Sequence, residues 1–249
     1  MKISKSQQDK TQRQILAAAV ELMSRQGFEA TSMKQIAREA GIGDATIYKY
    51  FPSKEKLVLG YYELALAEAL AQTAKTRGFS GFGLQEKLQR LADAVLERLL
   101  PDREFVALTR SLAQQSPLLL LGDGLPGKVA IKAAVQGWLA EAEAAGQIAP
   151  CGIQGLVAGF FTDYLFGLLV YWLDDDSEEF ANTTQLSDLC LGVLVLVLQS
   201  GLINKLGDLA GFLLRNQLAR LLQGQGGGLL ELMQMARRGL AAAQTRSAR

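Results

Sequence analysis

Residues 31–57, TSMKQIAREAGIGDATIYKYFPSKEKL, space their polar, basic and aromatic side chains in a way that suits the reading of a nucleic acid. If residues 44–50 are helical, Thr46, Lys49 and Tyr50 share one side while Ile47 and Phe51 share the other. One face can then anchor in a core while its opposite stays in solvent. Lys49 can donate to guanine O6 and N7, and the methyl of Thr46 or Ala45 can meet a thymine methyl. Ser32 and Lys34 stand at the start of a preceding short helix, whose free N–H groups and positive dipole end favour phosphate. Asp44 stabilises a helix start but repels phosphate, so capping and acceptance from cytosine N4 are both open to it. A three-helix core with nothing more than a solvated polar face is the plain alternative.

Other chemistries find little support. The chain has no histidine and only two isolated cysteines, Cys151 and Cys190, so metal sites of His or paired Cys and any His-based triad are excluded. No acidic pair, nucleophile–base arrangement or phosphate loop stands out, so no catalytic residue, metal ligand or cofactor is expected. The cysteines read as reduced core residues of a cytosolic protein. The net charge of +1 hides an asymmetry: residues 1–60 carry ten Lys/Arg and six Asp/Glu, leaving sixteen and nineteen for the rest. A basic front end on a mildly acidic body suits phosphate contact by the first segment alone.

The elements that must position these residues follow from composition and periodicity. At 249 residues, 49% apolar, with five prolines and almost no β-branched alternation, the chain is expected to be all-α. A first helix over about 10–26 shows an apolar face of Ile15, Leu16, Ala19, Val20, Leu22 and Met23 and stops at Gly27. Ser32 and Gln35 have capping-box spacing, Met33, Ile36, Ala37 and Ala40 form the inward stripe, and Gly41 ends that helix with Ile42 dropping into the core. Gly43 is a weaker cap for 44–50, Pro52 blocks extension, and Ser53 caps a long helix to about Lys75. Further helices are expected over about 84–100, 103–115, 127–145, 152–173, 183–203 and 206–222, with a PLLLLGDGLPG break, an acidic DDDSEE link, a glycine run at 224–228 and a last helix fading into a basic tail. No internal repeat is visible. Met1–Gln14 is too polar for a signal peptide. Leu189–Leu198 is short for a bilayer, and 152–173 contains Asp163 and four glycines, so buried helices of a soluble core are expected and no membrane partner.

Taken together, a first helix ending in GF, then TS-x-x-x-IA-x-x-AG, then GI-x-x-x-T-I-Y-x-YFPSKE-x-L, resembles the N-terminal domain of TetR-family transcriptional regulators over about Gln12–Leu59. The resemblance implies a three-helix, helix-turn-helix DNA-binding domain at 1–56, a larger helical effector-binding and dimerisation domain at 57–222, and a C-terminal helix and basic tail at 223–249. Position by position it implies DNA contact by Ser32, Lys34, Asp44, Ala45, Thr46, Tyr48, Lys49, Tyr50 and Lys54, with Tyr48 and Lys54 on phosphate. It also implies a cytoplasmic homodimer, joined through the helices at 152–173 and 183–203, where Gly155, Gly159 and Gly167 would permit close approach. The same helices as internal core is the other possibility. An operator of double-stranded DNA, palindromic and released by an apolar or amphipathic small-molecule effector, completes the expectation of a repressor. Candidate pocket residues are Phe105, Arg110, Trp138, Phe160, Asp163 and Tyr164. Asp163 must find a partner or solvent, and a structural or a ligand-contacting role is open to it. A helical carrier or enzyme retaining the helix-turn-helix as scaffold, and an activator or corepressor-dependent regulator, are the alternatives.

Overall fold

The computed structural model describes residues 5–115, 126–205, 207–209 and 211–213, and every regular element among them is helical. The first helix, α1 (Lys5–Gln26), starts earlier than expected because its polar first turns can be solvated on all sides. Ile15, Leu16, Ala19, Leu22 and Met23 are buried as the periodicity requires, while Val20 is half-buried. Gly27, at φ +86°, takes the left-handed conformation that stops the helix, its N–H donating to Met23 O at 2.8 Å. Two short helices follow, α2 (Met33–Glu39) and α3 (Asp44–Tyr50), then the long α4 (Lys54–Ala74).

The body is built from α4, α5 (Leu84–Leu99), α6 (Arg103–Gln115), α7 (Pro126–Ala144), α8 (Gln154–Leu173) and α9 (Ala181–Gln199). Pro101 sits in a 3₁₀ turn, Leu100–Asp102, that swings the chain from α5 into α6. α4 packs on α5 and α7, α8 packs on α7, and α9 packs on α5. Their shared core includes Leu88, Leu91, Leu99, Phe105, Ile131, Leu139, Phe161 and Trp172, all buried. Each such side chain contributes about 1.5–3 kcal/mol by leaving water. α4 runs unbroken across the domain boundary expected at 56/57, so head and body share a helix.

α6 also fastens the far end of α8. Arg103 Nη2 donates to the carbonyls of Trp172, Leu173 and Asp175 at 3.2, 2.9 and 3.1 Å, and its guanidinium lies over the Trp172 and Phe180 rings. A cation there satisfies the last carbonyls and complements the helix dipole. In the acidic link, hydrogen bonds from Ser177 and Thr183 hold the Asp175 carboxyl far below its ordinary range. Glu179 and Phe180 carry positive φ (50° and 56°) in the turn Glu178–Phe180, and α9 begins directly after it at Ala181, two residues before the expected start.

Three expectations need correction. Cys151 is buried but Cys190 is exposed, so only one cysteine is a core residue, and both are free thiols. Gly155 and Gly159 do not face outward: a Cβ on Gly155 would lie 2.8 Å from Gln136 Nε2 of α7, and Gly159 lies beside Lys132 of α7. Gly167 alone of the three faces open space. Nor are α8 and α9 simply buried helices. Both are long and apolar enough to cross a membrane by length and composition, yet each leaves an apolar row outside the body: Leu156, Phe160, Val170 and Tyr171 on α8, Leu189, Val193 and Leu196 on α9.

Residues from Gly201 onward form a second unit, in which 202–205, 207–209 and 211–213 are helical. The PLLLLGDGLPG break, the greater part of the 206–222 helix, the glycine run and the tail lie outside the described residues.

Candidate nucleic-acid interface

The α2–turn–α3 unit is held by backbone chemistry written into a few residues. Ser32 Oγ accepts from the Gln35 N–H at 3.3 Å while Gln35 Oε1 accepts from the Ser32 N–H at 2.8 Å, a reciprocal cap that fixes where α2 begins. At its other end Gly41, φ +67°, allows Gly41 N–H to reach Arg38 O (3.1 Å) and Ile42 N–H to reach Ala37 O (3.0 Å). That is the paired closure of a Schellman motif, and a side chain at Gly41 would strain it. Ala40 and Ile42 are half-buried rather than fully in the core. α3 then starts at Gly43, without a side-chain cap, and stops as Phe51 turns into extended backbone before Pro52.

Ile47 is fully buried and Phe51 nearly so, which anchors α3 on the rest of the head. The Phe51 ring sits against α4 at Gly60, where a Cβ would come within 2.5 Å of Phe51 Cε1. Gly60 is therefore part of the positioning machinery, and sequence reasoning missed it. Its signal was a glycine inside a long helix, where it costs about 1 kcal/mol relative to alanine and so calls for a packing reason.

With the apolar side committed inward, the other side of α3 is open. Asp44, Ala45, Tyr48 and Lys49 are exposed, and Thr46 and Tyr50 are half-buried; Ser32 and Lys34 on α2 are exposed. Among the described residues, no hydrogen bond or ion pair within the chain occupies the side-chain polar groups of Lys34, Thr46, Tyr48, Lys49 or Tyr50. Lys54 differs. Its ammonium donates to Phe28 O at 2.6 Å and lies 4.3 Å from the centre of the Phe28 ring, tying the start of α4 to the α1–α2 loop. An ammonium has three protons, so this bond leaves Lys54 donors to offer a phosphate.

The six pocket candidates are not brought together. Phe105 is buried edge-on to Tyr61, Trp138 meets Phe79, and Phe160 is 66% exposed. Arg110 bonds both carboxylate oxygens of Asp174, and the Tyr164 hydroxyl donates to Ser187 at 3.1 Å. Asp163 has its partner in Lys128 of α7, a lysine only 2% exposed, at 2.7 Å. None of the six lines the small apolar cavity of about 10 Å³ bordered by Tyr62, Leu66, Leu99, Leu165, Phe166 and Leu169 among others. At its edge Thr109 Oγ1 donates to Phe105 O, so the Tyr62 hydroxyl, 2.7 Å away, donates to Thr109. Burial pushes the Tyr62 hydroxyl up to about 12.

A capped helix-turn-helix with an open polar and basic recognition face, continued by a helical body, defines the class of small helix-turn-helix regulators. The comparisons agree for both parts of the chain. Residues 15–61 match the family described as bacterial regulatory proteins, tetR family, and residues 87–213 match the tetracyclin repressor-like C-terminal domain. The chain belongs to the TetR family of DNA-binding transcriptional regulators. It is 27% identical over 202 residues to the fatty acid metabolism regulator protein of Bacillus subtilis, covering 77% of this chain and 95% of that one. It is 37% identical over 75 residues to the HTH-type transcriptional regulator YfiR of the same organism, a match that spans only 37% of YfiR and 30% of this chain. The solved structure of Salmonella enterica GusR superposes with a TM-score of 0.58 at 22% identity, covering 80% of this chain and all of the other, and shows the shared fold.

Proposed function

We propose that this regulator is a cytoplasmic homodimeric repressor whose paired α3 helices grip a palindromic operator and are released by an apolar or amphipathic small molecule. The observation that carries the reading is the division of α3: Ile47 is wholly buried, while Ala45, Tyr48 and Lys49 stand in solvent beside an accessible Thr46 and Tyr50. Phosphate contacts from Ser32, Lys34, Tyr48 and Lys54 would set register, while Thr46 and Lys49 would read bases.

One such head buries too little surface for tight, selective binding, so two must sit about 34–36 Å apart, one turn of the duplex. The outward apolar rows of α8 and α9 supply a self-complementary surface for that pairing. The effector reading rests on the likeness to a regulator named for fatty acid metabolism, which favours a ligand with an extended hydrocarbon portion. A hundredfold release requires that ligand to prefer one head arrangement by about 3 kcal/mol.

Selection of genomic fragments by the purified protein, followed by anisotropy titration, tests the reading directly. Lys49→Ala is expected to change the preferred half-site, losing about 1–3 kcal/mol of discrimination at one base pair. An unaltered selected sequence would remove Lys49 from base reading, and absence of salt-dependent DNA retention by the parent protein would remove the operator altogether.

A further inference from the structure

Where α1 of the reading head packs on α6 and α4, a set of polar side chains ties the head to the body. Glu68 of α4 accepts from Arg13 of α1 and, at 2.6 Å, from Arg98 Nε of α5. Arg98 Nη1 also donates to Asp102 at 3.3 Å, and Asp102 accepts the Tyr61 hydroxyl at 2.8 Å. Burial works against ionisation of Glu68, but the hydrogen bonds from Arg98 and Arg13 outweigh it and keep the carboxyl below its ordinary value. One carboxylate thus holds two guanidinium groups that belong to different parts of the molecule.

What lies beside this clasp makes it matter. A cleft of about 840 Å³ opens between α1, with Leu16 and Val20 on its wall, and the Leu100–Ala107 stretch opposite; Arg13, Arg98 and Asp102 also line it. α1 packs on α6 and α4, and beside that packing the cleft leaves solvent space along part of its length. The polar ties at the rim add to the packing in setting how α1 sits on the body. Loss of the Glu68 charge would leave Arg13 without its counter-ion, whereas Arg98 keeps Asp102.

We infer that Glu68 is a positioning residue for operator binding, fixing the angle of the reading head on the body by holding Arg13 and Arg98 at once. The inference rests on the DNA-binding role of the head, because angle matters only where two heads must meet one duplex. When only a fraction of the molecules hold the competent orientation, apparent affinity falls by that fraction. If the fraction drops to about one tenth, the operator Kd rises about tenfold.

The test is an intrachain distance measurement by pulsed electron paramagnetic resonance. Spin labels go on Glu39→Cys in α2 and Ala145→Cys just beyond α7, both exposed positions, in a Cys190→Ser background. Labelled chains are diluted into unlabelled protein so that only one chain is read. Glu68→Gln and Arg13→Ala are each expected to broaden the head-to-body distance distribution and to raise the operator Kd about tenfold, with Tm, sedimentation and the salt slope of DNA binding unchanged. The double variant should be no worse than either single one, and Arg13→Lys should recover most of the affinity. An unbroadened distribution in both variants, weakened DNA binding without broadening, or additive losses in the double variant would each overturn the proposal. Should Glu68→Gln fail to fold, Arg13→Ala decides alone, since it leaves the Glu68–Arg98 pair intact. If the parent protein bound no operator, the DNA-binding role would fail while the distance measurement still reported on the clasp.

Discussion

Lys49 and Lys54 are both basic residues of the reading head, yet their surroundings give them different duties. Lys49 is exposed with no partner among the described residues, whereas the Lys54 ammonium is held by Phe28. Lys54→Ala is therefore expected to show two effects where a pure phosphate contact would show one. It should weaken binding to all sequences and reduce the salt slope by about one unit. It should also destabilise the fold by about 1–2 kcal/mol, because the Phe28 carbonyl loses its donor. Chemical denaturation alongside the titrations separates the two, and an unchanged midpoint would show that the Phe28 bond contributes nothing. The position of Lys54 in the helix-turn-helix pattern was legible from sequence. Its bond to Phe28 was not, because nothing in local spacing reports a contact between residues 28 and 54.

At the scale of elements, the boundaries of α2, α3 and α4 were readable because each is set by local chemistry: the Ser32–Gln35 cap, Gly41, Gly43 and Ser53 act within a few residues of themselves. Tertiary fit is what escaped. Gly60 is needed by Phe51, nine residues earlier; a glycine inside α4 signals a packing need, but nothing local names the partner. Gly60→Ala should gain helix propensity but force the Phe51 ring aside, for a net destabilisation of about 1–3 kcal/mol and a loosened α3. Hydrogen exchange concentrated in α3 and thermal unfolding would reveal it, and a stabilised protein would mean that the ring shifts freely. The pocket residues failed to converge for a similar reason: aromatic side chains at helical spacing found separate partners, such as Tyr61 for Phe105 and Phe79 for Trp138.

For the whole molecule, the proposed pairing makes the apolar rows of α8 and α9 the surface that would let two heads act together. Hydropathy alone marked both helices as unusual without separating inner from outer faces, since they are apolar on nearly every side. The structure separates them: Trp172 and Leu165 turn inward, while Phe160 and Val193 turn out. Val193→Asp combined with Leu196→Asp should place two charges on the outward row, leaving the inner core untouched. Sedimentation is expected to show a monomer whose circular dichroism matches the parent and whose operator affinity has fallen by two or more orders of magnitude. A stable dimer with both charges present would move the interface elsewhere.

α4 carries a mechanical consequence of its own. A 21-residue α-helix is about 32 Å long, and this one has its first turn in the head and its last in the body. Pivoted at the body end, a rigid rod of that length converts a tilt of about 5° into a sweep of about 3 Å at the tip, close to the step from one base pair to the next. On the proposed effector-release reading, a ligand would have no need to unfold or remodel anything. Nudging the base of the rod by a few degrees would put each recognition helix one rung out of line with its sequence.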